Sequence, residues 1–179
     1  MTTCIFEKKD MIKPRTKVPE LELDLINDTK WSLADQNPDN YSLLVFYRGL
    51  HCPVCKKYLE DLTTRLDDFV ERGVNVIAIS GDSEERAKKT GDQWKIPSLP
   101  VGYELSMDEA RNWGLFVSEG ISDKEPEKFS EPGVFLVKPD RTLYFSAVQT
   151  MPFARPSFKD ILNAIDYIQK EEYPARGEA

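Results

Sequence analysis

A Cys-x-x-Cys, Cys52-Pro53-Val54-Cys55, stands between an apolar run, Leu43-Leu44-Val45-Phe46-Tyr47, and a stretch of helical periodicity reaching about Val70. The run has the length and composition of a buried strand, so the motif falls where a strand hands over to a helix, and a Cys-x-x-Cys in that setting reads as a redox pair. The first turn of a helix carries unsatisfied backbone N–H groups and the positive end of the helix dipole, and both favour a thiolate over a thiol. Residues three apart share one helix face, so the two sulfurs can close a disulfide without large backbone movement.

The periodicity also orders the two sulfurs. Leu59, Leu62, Leu66 and Phe69 form an apolar stripe, and stepping it back by four reaches Cys55. Cys55 is therefore expected to be the inner sulfur. Cys52, at or just before the helix start, is expected to be the outer, attacking one. Pro53 then occupies the first helical position, where a missing N–H costs nothing. Arg48 and Lys56 bring positive charge close enough to lower the Cys52 pKa from its free value of roughly 8.5. For Arg48 the alternative is a structural salt bridge at the strand end. His51 reads either as a group that tunes Cys52 or as an exposed neighbour of the motif.

Charge and composition narrow the function classes. The 179 residues carry 24 basic and 31 acidic side chains, net charge −7, which argues against a nucleic-acid-binding or anionic-membrane surface and for small-molecule or protein partners. The first ten residues hold no apolar core of signal-peptide length, and no later stretch approaches the roughly 18 to 20 apolar residues of a membrane span, so a cytoplasmic protein is expected. Three cysteines, two of them in one motif, do not make a secreted disulfide framework, and Cys4 reads as an incidental thiol. With His51 the sole histidine and Cys4 remote, no second ligand pair exists for a metal, and none is expected. Trp31, Trp94 and Trp113 read as core or rim aromatics.

Along the chain, Pro19 to Leu25 alternates with period two and reads as a half-exposed strand. Tyr41 to Arg48 is a buried strand, residues 52 to about 72 the Cys helix, and Val74 to Ser80 a second buried strand, together a βαβ unit. Gly81-Asp82-Ser83 reads as a turn and N-cap for a helix to about Trp94, with Asp82 to Arg86 a solvated helix start. Between Ile96 and Val101 two prolines limit the chain to a short or edge strand. Ser106 and Glu109 fit a capping box for a short helix ending near Gly114. Residues 117 to 131 read as an exposed loop. Val134–Val137 and Leu143–Val148 flank Pro139-Asp140-Arg141 as a hairpin, and Ser157 caps a helix whose Phe158, Ile161, Leu162, Ile165 and Ile168 share one face. The expected architecture is α/β, one domain over residues 1–179 with its core at about 17–170.

With that order in place, the chain resembles the peroxiredoxin-like, AhpC/TSA-type branch of the thioredoxin-fold superfamily. The resemblance is carried by Phe46-Tyr47-Arg48-Gly49-Leu50-His51-Cys52-Pro53-Val54-Cys55 and by the strand and turn from Val76 to Asp82. Glu131 to Val137 and Pro152 to Phe158 support it. It implies a thioredoxin-like fold, a central mixed β-sheet flanked by helices, with a peroxiredoxin-type N-terminal extension. It implies an attacking cysteine that becomes a sulfenic acid and then a disulfide, reduced by a thioredoxin-type donor. Carried over, Cys52 is the peroxidatic sulfur and Cys55 the resolving one. Pro132 falls where such folds place a proline, often cis, beside the active-site sulfur. Family members resemble Thr-x-x-Cys at the site and carry an arginine at the start of a later strand; here Gly49 and Pro132 stand at those positions, and Arg48 or Arg155 is left to supply the charge, the alternative for Arg155 being an anchor of the loop before the last helix.

The leading expectation is thus a thiol-dependent reductase of hydroperoxides recycling through a Cys52–Cys55 disulfide, with no metal or organic cofactor. The resemblance is also compatible with a homodimer. A thioredoxin-like exchanger acting on protein disulfides is the alternative enzyme. A redox sensor or binding module that oxidises without turnover is the alternative outside catalysis.

Overall fold

The computed structural model describes residues 11–179, so Cys4 lies outside the described residues. The alternating segment before residue 26 supplies β1 (Glu22–Asp24), which pairs antiparallel with β2 (Lys30–Ser32). The apolar run forms β3 (Tyr41–Phe46), and the chain then passes through the Cys motif into α1 (Pro53–Thr63), α2 (Leu66–Glu71) and β4 (Val74–Ile79). Strands β3 and β4 are parallel, in register from Tyr41 opposite Val74 to Phe46 opposite Ile79, which is the expected βαβ unit.

The Cys helix is two helices rather than one. Thr63 Oγ1 donates to the Leu59 carbonyl at 2.9 Å and Thr64 Oγ1 to that of Asp61 at 2.7 Å. Hydroxyls that bond back to the preceding turn compete with helix continuation. The apolar stripe survives the break: Leu59, Leu62 and Phe69 are wholly buried and Leu66 packs partly buried against them.

After β4, Ser83 caps α3 (Glu84–Gln93), its hydroxyl accepting from Arg86 N, and the chain returns as β5 (Val101–Gly102). The strand begins only after Pro100, as the missing N–H donors require, while Ile96 and Leu99 go into the core without strand pairing. The capping box forms: Ser106 Oγ accepts from Glu109 N, and Glu109 reaches back to Ser106 N, at the start of α4 (Met107–Asn112).

The segment read as an exposed loop is an antiparallel hairpin, β6 (Val117–Glu119) against β7 (Lys128–Ser130), and its second half is buried at Phe129, Ser130 and Glu131. Its short pairs and polar composition carry no two-residue period, so the pattern did not reveal it. The last hairpin, β8 (Gly133–Val137) and β9 (Leu143–Val148), precedes α5 (Phe158–Glu171), capped by Ser157 as expected.

The main sheet runs β5-β4-β3-β8-β9, with β8 antiparallel to β3. Alternation along β3 divides the core between the two faces. Leu43, Val45 and Tyr47 join Leu59, Leu62 and Phe69 with Phe158, Ile161 and Ile165 of α5. Leu44 and Phe46 join Leu23, Ala110, Trp113 and Phe135 on the other side. A strand buried on both faces reads as an unbroken apolar run, which is why Leu43 to Tyr47 stood out. Trp94 and Trp113 are core residues, as expected, and Trp31 is half-buried beside β1. The carboxyl ends of parallel β3 and β4 meet the first residues of β8, since Phe46 lies opposite both Ile79 and Gly133. In open α/β sheets the crevice outside such ends is where ligands bind. Among the described residues no helix is long and apolar enough to cross a membrane.

Candidate active site

Beyond the end of β3, residues 48 to 52 form a tight turn closed by Cys52 N donating to the Gly49 carbonyl at 3.1 Å. Cys52 is the N-cap of α1 and Pro53 its first helical residue, the positions the sequence indicated. Cys52 Sγ accepts from Cys55 N at 3.1 Å, so one of the helix's orphan donors is spent on sulfur. The two cysteines are joined as a disulfide, with Cα atoms 5.2 Å apart. Cys52 is 2% exposed and Cys55 not at all, so the expected inner and outer sulfurs differ little in accessibility.

Two arginines flank the pair. Arg155, in the loop before α5, sets Nη1 at 3.8 Å from Cys55 Sγ and donates Nη2 to the Val54 carbonyl at 3.3 Å. Its guanidinium carbon lies 3.9 Å from the centre of the Tyr58 ring, and the Tyr58 hydroxyl donates to the Pro156 carbonyl at 2.7 Å. Burial lowers the Arg155 pKa to about 10, with Arg48 repelling and Tyr58 opposing the shift, so the group stays cationic at neutral pH. A groove of about 370 Å³, lined by Val54, Lys57, Tyr58, Asp61 and residues 152–155, opens beside it. A larger cavity of about 760 Å³ shares no residue with the motif.

Arg48 faces the β6–β7 hairpin. Its Nε is 3.3 Å from Glu131 Oε2, close enough for an ion pair though not aligned as a hydrogen bond, and its Nη2 is 3.9 Å from Glu125. Its guanidinium carbon sits 4.6 Å from the centre of the Phe129 ring. Of the two roles open to Arg48, the structure shows the salt bridge. Lys56 points along α1 to Glu60 at 4.0 Å. His51 packs its ring 4.7 Å from that of Phe129, with neither nitrogen hydrogen-bonded among the described residues. Burial lowers its pKa, with Asp82 opposing and Arg48 reinforcing the shift.

Two features depart from the sequence reading. The bond before Pro132 is trans, since the described residues contain no cis peptide; the Pro132 carbonyl accepts from Gln149 N at 3.0 Å. Asp82 belongs to no solvated helix start: it is 2% exposed, accepting from Leu50 N at 2.7 Å and from Arg86 Nε at 2.9 Å. Sequence reasoning also missed Glu131, 3% exposed, whose Oε1 accepts from Ser118 Oγ at 2.7 Å. A lone acid next to the apolar Val134–Val137 run was the signal available for it.

Gly49 has φ of +130°, and a Cβ there would stand 2.7 Å from Asp82 Oδ1, so both backbone and neighbour demand glycine. Among the described residues no cluster of three or more His, Cys, Asp or Glu could hold a metal ion.

The model of the AhpC/TSA family matches residues 14–146. In sequence, a protein named as a peroxiredoxin in Mycobacterium tuberculosis is 27% identical over 109 residues, 61% of this chain and 68% of the relative. In structure, the peroxidoxin BcpB of Mycobacterium tuberculosis aligns with TM-score 0.71 at 19% identity, covering 88% of this chain and 98% of its own. Mycobacterium tuberculosis AhpC aligns with TM-score 0.73 at 15% identity, covering 95% and 100%. These likenesses establish the thioredoxin-like fold of peroxiredoxins, and the family match extends from before β1 into β9, across the whole Cys turn. The chain belongs to the AhpC/TSA family and is a thiol-dependent oxidoreductase of the peroxiredoxin kind.

Proposed function

We propose that the Cys52–Cys55 pair reduces a hydroperoxide and is recycled through its own disulfide by a thioredoxin-type donor. The observation that carries this reading is the position of the pair: both sulfurs sit in the first turn of α1, bonded to one another on a regular helix start. A thiolate attacks the outer peroxide oxygen, the O–O bond breaks, and the alkoxide or hydroxide leaves with a proton as alcohol or water. The sulfur is left as a sulfenic acid. The second thiol attacks that sulfur, a disulfide forms and water departs, so two electrons have passed to the peroxide. Burial of both sulfurs favours a small oxidant over a protein disulfide as the partner of this step.

For the order of attack, the geometry favours Cys55 first. A charge-assisted hydrogen bond is roughly twice as strong as a neutral one, and Arg155 reaches Cys55 while Cys52 receives a neutral amide. With Cys55 attacking, the family's Thr-x-x-Cys pattern falls on Cys52-x-x-Cys55, the Cys52 thiol standing where the threonine hydroxyl would be. Gly49 is then no departure. The reverse order, Cys52 first, is favoured by the N-cap hydrogen bond and by its slightly greater exposure.

The test mixes reduced wild type, Cys52→Ser and Cys55→Ser with substoichiometric hydrogen peroxide and then an organic hydroperoxide, with quenched intact-mass analysis. Wild type should lose two hydrogens rapidly. Cys52→Ser should gain one oxygen at Cys55 at a comparable rate, while Cys55→Ser reacts like an ordinary thiol. The opposite pattern assigns first attack to Cys52. Oxidation of wild type no faster than of a free thiolate defeats the peroxidase reading and returns the chain to the exchanger or sensor class.

A further inference from the structure

A buried carboxylate stands behind the Cys turn. Asp82 follows β4 and has no exposed side-chain surface. It is fixed by its own backbone, its N–H accepted by Ser80 Oγ at 3.3 Å and its carbonyl accepting from Glu104 N at 2.9 Å. One carboxylate oxygen takes the Leu50 amide at 2.7 Å and the other the Arg86 guanidinium at 2.9 Å. Leu50 lies inside the turn whose closing bond is made by the Cys52 amide on the Gly49 carbonyl, and Gly49 leaves the room in which the carboxylate sits.

We propose that Asp82 is a positioning residue for the Cys52–Cys55 pair, holding through the Leu50 amide the turn that presents both sulfurs. The proposal rests on the reading of the pair as redox-active and adds to it a residue on a different element. An acceptor anchored in the connection after β4 keeps Cys52 at the N-cap in dithiol and disulfide alike, so the second sulfur finds the first already in place. Closure of two groups held in register gains effective concentration that a loose turn forfeits. The Arg86 contact neutralises the buried charge and is not needed for the turn.

The experiment equilibrates the protein with reduced and oxidised glutathione: protein dithiol plus glutathione disulfide gives protein disulfide plus two glutathione thiols. The ratio reports the effective concentration of Cys52 and Cys55 without any peroxide. Asp82→Ala should lower it tenfold or more, Asp82→Asn, which keeps an accepting oxygen, should stay within threefold of wild type, and Arg86→Gln within twofold. A folded Asp82→Ala within twofold of wild type overturns the proposal, and so does an Asp82→Asn as low as the alanine variant.

Should Asp82→Ala fail to fold, hydrogen exchange at the wild-type Leu50 amide decides. Protection in both redox states supports the anchor, and loss of protection on reduction overturns it. A wild-type pair that stays dithiol at every glutathione ratio overturns the redox reading itself, an outcome distinct from any Asp82 effect.

Discussion

The two arginines beside the Cys turn are built alike and neutralised differently. Each spreads its guanidinium over an aromatic ring, Arg48 on Phe129 and Arg155 on Tyr58. Arg48 then meets two carboxylates, Glu131 and Glu125, whereas the polar contacts of Arg155 are a sulfur and a backbone carbonyl. A cation already paired with carboxylates has little field left for a neighbour. One paired only with dipoles keeps its charge for the sulfur, and its lowered pKa is the mark of that incomplete compensation. The difference leaves Arg48 paired with the hairpin and Arg155 facing the sulfur of Cys55, the cation approaching from the loop before α5 rather than from the position of Pro132.

The sharpest way to break that contrast is to remove Arg155. Arg155→Ala should slow oxidation by hydroperoxide by about a hundredfold to a thousandfold, the range seen when one preorganised donor is taken from a reacting centre. In a Cys52→Ser background it should also raise the pH midpoint of Cys55 alkylation by an amide haloalkane, and Arg155→Lys should recover part of both. Stopped-flow oxidation and alkylation from pH 5 to 10 measure the two effects. An unchanged midpoint would mean that Arg155 serves only to pin its loop to the Val54 carbonyl.

Glu131 tests the other side. Glu131→Gln leaves a hydrogen-bonding group for Ser118 but strips the main charge partner from Arg48. Losing a buried charge partner should cost about 1–3 kcal/mol of stability, read as a shift of the urea midpoint. Oxidation by peroxide should change no more than about threefold, because Arg48 acts on the hairpin and not on sulfur. A rate loss as large as that of Arg155→Ala would erase the distinction between the two arginines.

How much of this was legible in the chain follows from which interactions are local. Pro53 after the Cys52 cap, the Ser106–Glu109 box and the Ser157 cap were readable because each is set by residues within a turn of one another, and the βαβ unit because its two buried strands are unbroken apolar runs on either side of a helical period. The motif alone announced the disulfide. The partners of Arg48 and Arg155 were not readable, for they lie 83 and 100 positions away, at Glu131 and Cys55, and no periodicity links them. Asp82 misled for a related reason. An acid just before a helix is normally solvated, and only the return of the Leu50 amide from the preceding β–α connection buries it. Residues 117–131 misled because three-residue strands carry too little pattern to be told from a loop.

His51 gives the finest test, because it shares Phe129 with Arg48 and titrates where neither arginine does. Its pKa is held below the usual value near 6.5 chiefly by burial, so the folded protein binds this proton less readily than the unfolded chain does. Stability therefore rises with pH between the folded and unfolded values, is fully present above about 6.5, and is lost as pH falls from there toward the lowered folded value. Replacing His51 by Phe should keep the stacking on Phe129 and remove the proton. The urea midpoints of wild type and variant, measured from pH 7.5 down to 5, should then run parallel above the unfolded value and separate below it, wild type falling faster. Because the ring is only half-buried and its four charged neighbours, Asp82 and Glu125 against Arg48 and Arg86, partly offset one another, the separation should be smaller than the Glu131→Gln loss. Parallel curves across the whole range would mean that His51 takes up its proton as easily in the folded turn as in the unfolded chain, and that the Arg48 side lends the ring no charge-sensitive environment.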